Sequence, residues 1–186
     1  MVSRCAALSW ARSRTLSPQR LWPVLRARGG VDALLAAGED ELAAEFKSRD
    51  VARAVLRGPH DTEALRSAAN LERNGIRVLT AFDEEYPAAL REISDPPFVL
   101  HAVGRVERLR LPAVAIVGSR DASRYGNDVA RKMAEELSAA GVTVVSGFAR
   151  GVDAAAHEAA LEGPGGTIAV LGCGIDVDYP REHRHL

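Results

Sequence analysis

The apolar positions of the chain change period part-way along it. From Pro18 to about Asn74 they recur at helical spacing, in short bursts separated by glycine. Leu21, Val24 and Leu25 share a face of a helix stopped by Gly29-Gly30, and Val31, Leu34 and Leu35 make a further turn ending at Gly38. Glu39 to Phe46 sets Leu42 and Phe46 four apart, and Val51 to Leu56 is stopped by Gly58-Pro59. Asp61 or Thr62 is placed to cap a longer helix that closes at Asn74. Ile76 to Thr80 and Phe98 to Val103 are apolar runs that predict strands, with a short helix from Glu84 to Ile93 between them.

From Ala113 the pattern becomes regular. Ala113 to Val117 is a continuous apolar run, as expected of a strand covered on both faces. A helix follows from about Gly126 to Ala140, with Val129, Met133 and Leu137 at four-residue spacing as its apolar face. Val142 to Val145 predicts a second strand, Asp153 to Leu161 lies in a second helix, and Ile168 to Leu171 predicts a third strand. This β-α-β-α-β order implies a parallel sheet with right-handed crossovers, an α/β fold.

Composition narrows the class. The chain has 186 residues, 47% hydrophobic and 26% charged, which is ordinary for a globular protein and excludes collagen-like or disordered character. No run of about 18 apolar residues predicts a membrane span. Arg4, Arg12 and Arg14 interrupt the N-terminus, so no secretory signal is expected. Two cysteines, Cys5 and Cys173, cannot build a disulfide framework, and a reducing cytoplasm fits. Cys173, between two glycines, is expected to be a small buried residue.

Charge matters by position. Residues 1–31 carry six arginines and no acid, and residues 32–50 carry six acids. Residues 111–186 hold seven basic against ten acidic side chains, yet Arg120, Arg124 and Arg150 fall in the loops after the first two strands. In a parallel sheet all strand C-termini share one edge, where open α/β folds bind ligands. Each strand end carries a glycine: Gly118, Gly147 and Gly172. Glycine there admits a close backbone approach, and the following helix N-termini favour anions. The pattern points to a phosphate-binding rim. The rival expectation is that the arginines pair with Asp121 and Asp153.

Other constellations are weaker. Neither loop is G-x-G-x-x-G, and no G-x-x-x-x-G-K-[ST] occurs, so no nucleotide cofactor is expected. Gly163 to Gly166 precedes a strand, which makes it a turn on the opposite edge. Asp153 and His157 lie four apart, and the expected role is structural: Asp153 as helix cap, His157 hydrogen-bonded into the loop. Asp176, Asp178, His183 and His185 match no defined metal spacing. Tyr125 and Phe148 are the aromatic residues of the two loops able to stack on a base.

Together, Ile116-Val-Gly-Ser-Arg120, Ser123-Arg-Tyr-Gly126, Val145-Ser-Gly-Phe-Ala-Arg-Gly-Val-Asp153, Ala156-His157, Thr167-Ile-Ala-Val-Leu-Gly172 and Asp178-Tyr-Pro180 resemble the DNA-processing protein A (DprA, Smf) family. The resemblance reaches back through Tyr86-Pro87 and Pro96-Pro97 to Gly104, the entry to that family's extended Rossmann fold. Residues 1–60 resemble its small helical, sterile-alpha-motif-like (SAM-like) domain, leaving 61–186 for the Rossmann-like domain. The resemblance implies a non-enzymatic single-stranded DNA-binding protein of natural transformation, which protects incoming strands and helps load a RecA-type recombinase. Carried over by motif, Gly118, Ser119, Arg120 and Arg124 in the first loop, and Ser146, Gly147, Phe148, Arg150 and Gly151 in the second, line the DNA site. Asp153 and His157 support the loop. Chains of that family continue past the Tyr-Pro motif with further strands and a homodimer interface, so the resemblance implies a C-terminal truncation and an incomplete sheet. The alternative is a Rossmann-like nucleotide phosphoribohydrolase, whose P-G-G-x-G-T-x-x-E segment should open a helix; here Pro164-Gly-Gly-Thr167 lacks the second glycine and the glutamate.

Overall fold

A computed structural model of the chain describes residues 1–177, 179–183 and 186. It divides into two compact units, Met1–Val106 and Glu107–Leu186.

The first unit is built on helices: α1 (Val2–Arg12), α2 (Pro18–Arg28), α3 (Val31–Leu35), α4 (Glu39–Phe46), α5 (Arg49–Arg57) and α6 (Thr62–Arg73). The caps follow the chemistry of the sequence. Asp61 accepts from the Ala64 amide at the start of α6, Ser48 does the same for Val51 at the start of α5, and Gly29 ends α2 in the left-handed region. Helix α1 has no counterpart in the sequence pattern read above. It buries Cys5, Ala6, Ala7, Leu8 and Trp10, a face made mostly of small residues.

Strands β1 (Arg77–Thr80) and β2 (Val99–Ala102) pair antiparallel, with α7 (Ala88–Arg91) between them. Helix α7 is shorter than the expected Glu84–Ile93. Tyr86 is buried instead, its hydroxyl donating to Pro97 O at 2.8 Å, and burial pushes its pKa up to about 12. The ribbon belongs to the helical unit. Trp22 stacks on Phe98 at 5.2 Å and donates from Nε1 to Pro96 O at 2.6 Å, while Trp10 meets Phe98 edge-on at 5.6 Å. This aromatic cluster carries the compact unit well past the boundary near residue 60 that the sequence suggests.

The second unit holds β3 (Ala113–Ala115), α8 (Arg124–Ala139), β4 (Thr143–Ser146), α9 (Val152–Leu161) and β5 (Thr167–Ala169). The sheet is parallel with order β3-β4-β5, Val114 opposite Val144 and Val145 opposite Ile168. Strand order steps in one direction, so two right-handed crossovers set both helices on the same face. The core lies there: Ile116, Val144, Ala130, Ala134, Ala155, Ala156 and Ala160.

Two expectations fail here. The first strand is not covered on both faces: β3 is exposed along its length, and Val117 is 73% exposed. With both helices on one side, the other side has no covering layer among the described residues of this unit. Nor is Val129-Met133-Leu137 the packed face of α8. Met133 is 50% exposed and Val129 is exposed; Ala130, Ala134 and Ser138 face inward, joined by half-buried Leu137.

Candidate nucleic-acid interface

The first rim loop follows Ile116, the last buried apolar residue of its strand run. Gly118 is needed for packing: a Cβ there would meet the Val152 side chain at 2.7–2.9 Å. Ser119 Oγ accepts from the Asp121 amide at 3.1 Å and shapes the turn that presents Arg120. Ser123 Oγ accepts from the Gly126 amide at 3.1 Å, which fixes the start of α8 with Arg124 in its first turn. Arg120 and Arg124 are both exposed.

The second loop is held more tightly. Gly147 leaves β4, where a Cβ would meet Asp153 Oδ2 at 2.8 Å, and Asp153 accepts from the amides of Gly147 (3.1 Å) and Ala149 (3.3 Å). Phe148 sits at φ 61°, a left-handed conformation that bulky residues rarely adopt. Its carbonyl accepts from His183 Nδ1 at 3.2 Å, and its ring packs on His157 (5.6 Å) and His183 (5.3 Å). Gly151, at φ 73°, caps α9. A Cβ on it would collide with the carbonyl oxygens of Ser119 and Arg120, and the following amide, Val152 N, donates to Ser119 O at 3.2 Å. The two loops are therefore seamed together along their backbones.

That seam brings Arg120 and Arg150 to one cleft of about 350 Å³, lined also by Asp121, Ala149, Tyr179 and Pro180. Arg150 Nε pairs with Glu182 at 2.9 Å, both side chains more than half exposed. An exposed pair of this kind is worth about 0–1 kcal/mol, which a phosphate can displace. Neither Asp121 nor Asp153 is the partner: Asp153 is buried and turned onto backbone amides.

Three of the expected residues, Ser146, Asp153 and His157, are buried. Ser146 is buried, its hydroxyl donating to Ile116 O at 2.7 Å, so it stitches β4 to the end of the first strand run. His157 is 2% exposed, and its bond goes to Thr167 Oγ1 (2.6 Å), not into the loop. Because the Thr167 hydroxyl donates onward to Val144 O at 2.8 Å, His157 Nδ1 carries the proton; its buried Nε2 has no partner among the described residues. Burial lowers the His157 pKa, Asp153 opposes that, and His183 adds to it. Asp153 is not the α9 cap, a place Gly151 takes. Cys173 is only half-buried.

Tyr179 and His183 are the residues that sequence reasoning missed at this site. Both lie beyond the third strand, in a polar stretch with no periodicity to place them. Among the described residues there is no cluster able to hold a metal ion; Asp178 and His185 lie outside them. The Gly163–Gly166 turn precedes β5, where Arg108 donates to the carbonyls of Pro164 and Gly165. It does not open a helix, as the phosphoribohydrolase reading requires. No helix among the described residues is long and apolar enough to cross a membrane.

The family model for DNA recombination-mediator protein A matches residues 77–186. Protein Smf of Synechocystis sp. is 44% identical over 119 residues, covering 62% of this chain and 30% of that protein. The X-ray structure of DNA processing protein A from Streptococcus pneumoniae superposes with a TM-score of 0.71 at 31% identity, over 96% of this chain and 60% of that one. The Helicobacter pylori DNA processing protein A, solved for its single-stranded DNA binding mode, gives 0.51 at 36% identity, over 57% and 47% of the two chains. This chain thus spans less than two thirds of each of these proteins.

Proposed function

This chain belongs to the DNA recombination-mediator protein A family, and from that premise we propose that its strand-end rim binds single-stranded DNA through the phosphate backbone. The observation that carries the reading is the single cleft that two loops, from two successive strands, line with Arg120 and Arg150. Arg124, at the start of α8, extends the cationic line, with Gly118, Ser119, Gly147 and Gly151 shaping the backbone beneath it. Phosphates neutralised by these guanidiniums release condensed counterions, so affinity falls with salt and varies little with sequence.

The role that follows is a binding one, without catalysis: coating incoming single strands during natural transformation and promoting their handover to a RecA-type recombinase, with a homodimer as the working form. The solved Helicobacter pylori relative supports the strand type. Arg120→Ala is expected to weaken binding of a labelled single strand uniformly across sequences and to lower the log–log salt slope by about one. Fluorescence anisotropy at several salt concentrations measures both. An unchanged affinity and slope would remove Arg120 from the role.

A further inference from the structure

The second loop has a support that phosphate binding by itself does not call for. Phe148 holds φ 61°, a conformation that a bulky residue keeps only where its surroundings fix it. Two histidines do the fixing. The Phe148 ring meets His157 at 5.6 Å and His183 at 5.3 Å, and its carbonyl accepts from His183 Nδ1 at 3.2 Å. Both histidines are buried, His157 on α9 and His183 in the short turn Arg181–His183. Arg150 stands two residues beyond Phe148 and lines the cleft.

His157 fits this place only as a neutral ring. Its Nδ1 proton goes to Thr167, whose hydroxyl is committed to Val144 O, and Nε2 is buried with no partner among the described residues. A second proton would add a buried charge and an unanswered donor. Burial is the largest influence against that charge. Asp153, one turn back on α9, favours it, but its carboxylate already accepts from the Gly147 and Ala149 amides, and His183 opposes it. Strands β4 and β5 hold no titratable residue, Arg131 of α8 is paired with Glu158, and Arg150 is paired with Glu182.

We propose that His157 and His183 are positioning residues for the second loop, and that a proton taken up at His157 frees Phe148 and with it Arg150, so that the chain releases a single strand under mildly acidic conditions. The proposal rests on the single-stranded DNA reading above and adds a control to it. Opening a loop relieves the buried charge at less cost than opening the sheet beneath it. The direction is informative. Protons on exposed groups draw phosphate closer, so acid strengthens an ordinary cationic site and should weaken this one.

The test uses the full 186-residue chain and labelled oligothymidine, whose bases do not titrate in the range. Anisotropy should show affinity falling several-fold between pH 7 and pH 5.5; one proton taken up at the ordinary 6.5 bounds the loss at about eightfold. Far-UV circular dichroism should stay unchanged at pH 5.5, which separates release of a loop from unfolding. His157→Asn should bind more weakly than wild type at pH 7 and lose no further affinity on acidification. A readout free of any variant is the His157 ring itself, followed by NMR in the wild-type chain. Saturating oligothymidine should lower its pKa further, by reciprocity, whereas a phosphate merely lying nearby would raise it. Wild-type affinity that is flat or rises toward pH 5.5, loss of the helical signal there, a variant that keeps the wild-type pH profile, or a His157 pKa unmoved or raised by the strand would each overturn the proposal. Salt-dependent binding at pH 7 alongside any of those outcomes leaves the phosphate reading standing. Wild-type chain that does not bind oligothymidine at pH 7 overturns both.

Discussion

His157 shows how the rim depends on a residue that never reaches solvent. Its neutral ring donates to Thr167 and supports the Phe148 ring, and a second proton would sit on a buried nitrogen without an acceptor among the described residues, near His183. The folded pKa lies below the ordinary 6.5, chiefly through burial. The unfolded chain then binds more protons than the native one as pH drops below neutrality, so stability is full above 6.5 and is lost as pH falls toward the folded pKa. His157→Asn, which keeps a donor near the Nδ1 position, should lower Tm at neutral pH but flatten its decline between about pH 7 and pH 5. Thermal melts across that range decide it; a decline as steep as that of wild type would argue that another group titrates. At this scale the sequence is partly legible. Arginines in strand-end loops announce themselves by position, because topology puts those loops on one edge. Ser146 does not, since the same residue type can face outward to a ligand or inward to Ile116. Nor does a glycine announce its neighbours: a Cβ on Gly118 would meet Val152, and one on Gly151 would meet the backbone of the first loop.

Between elements, small side chains decide the packing. Helices α8 and α9 meet through Ala130, Ala134, Ala155, Ala156 and Ala160, with Ser138 Oγ donating to Ala160 O at 2.7 Å and Arg131 paired to Glu158. Larger residues would hold the helices apart. Ala134→Leu is therefore expected to destabilise the chain by about 1–3 kcal/mol through overpacking. Met133→Gln, on the exposed face, should stay within about 0.5 kcal/mol. Urea unfolding of both variants measures the contrast, and a larger loss from Met133→Gln would show that the exposed stripe is packed in solution. The same chemistry explains the misread helix face. Hydrophobic periodicity gives most weight to Val129, Met133 and Leu137, and little to alanine, yet close-packed helices bury alanine. Helix α1 escaped notice for a related reason, being rich in alanine and lacking a side-chain cap. The parallel sheet was legible, because strand–helix alternation leaves few alternatives; strand order was not, since alternation does not say which strands are neighbours.

For the molecule as a whole, net charge is a poor guide to its partner. The six arginines before Val31 suggest a basic head, but in the first unit Arg4 meets Glu72 and Asp83, Arg12 meets Glu63, and Arg28 meets Glu41 and Glu45. The second unit carries more acid than base, with Glu135 and Glu136 well along α8 from the rim. Helical rise puts Glu136 about 18 Å beyond Arg124, past a Debye length of about 8–10 Å. Neutralising both, in Glu135→Gln/Glu136→Gln, should alter single-strand affinity by less than about twofold at physiological salt. A gain well above that in the anisotropy titration would mean that the field of the entire unit governs binding. The rim itself has a mechanical character set by Gly151, because the peptide that follows it hangs from the carbonyl of Ser119. Whatever tugs on one loop is handed to its neighbour, so a strand drawn across the two arginines pulls on a yoke and not on independent fingers.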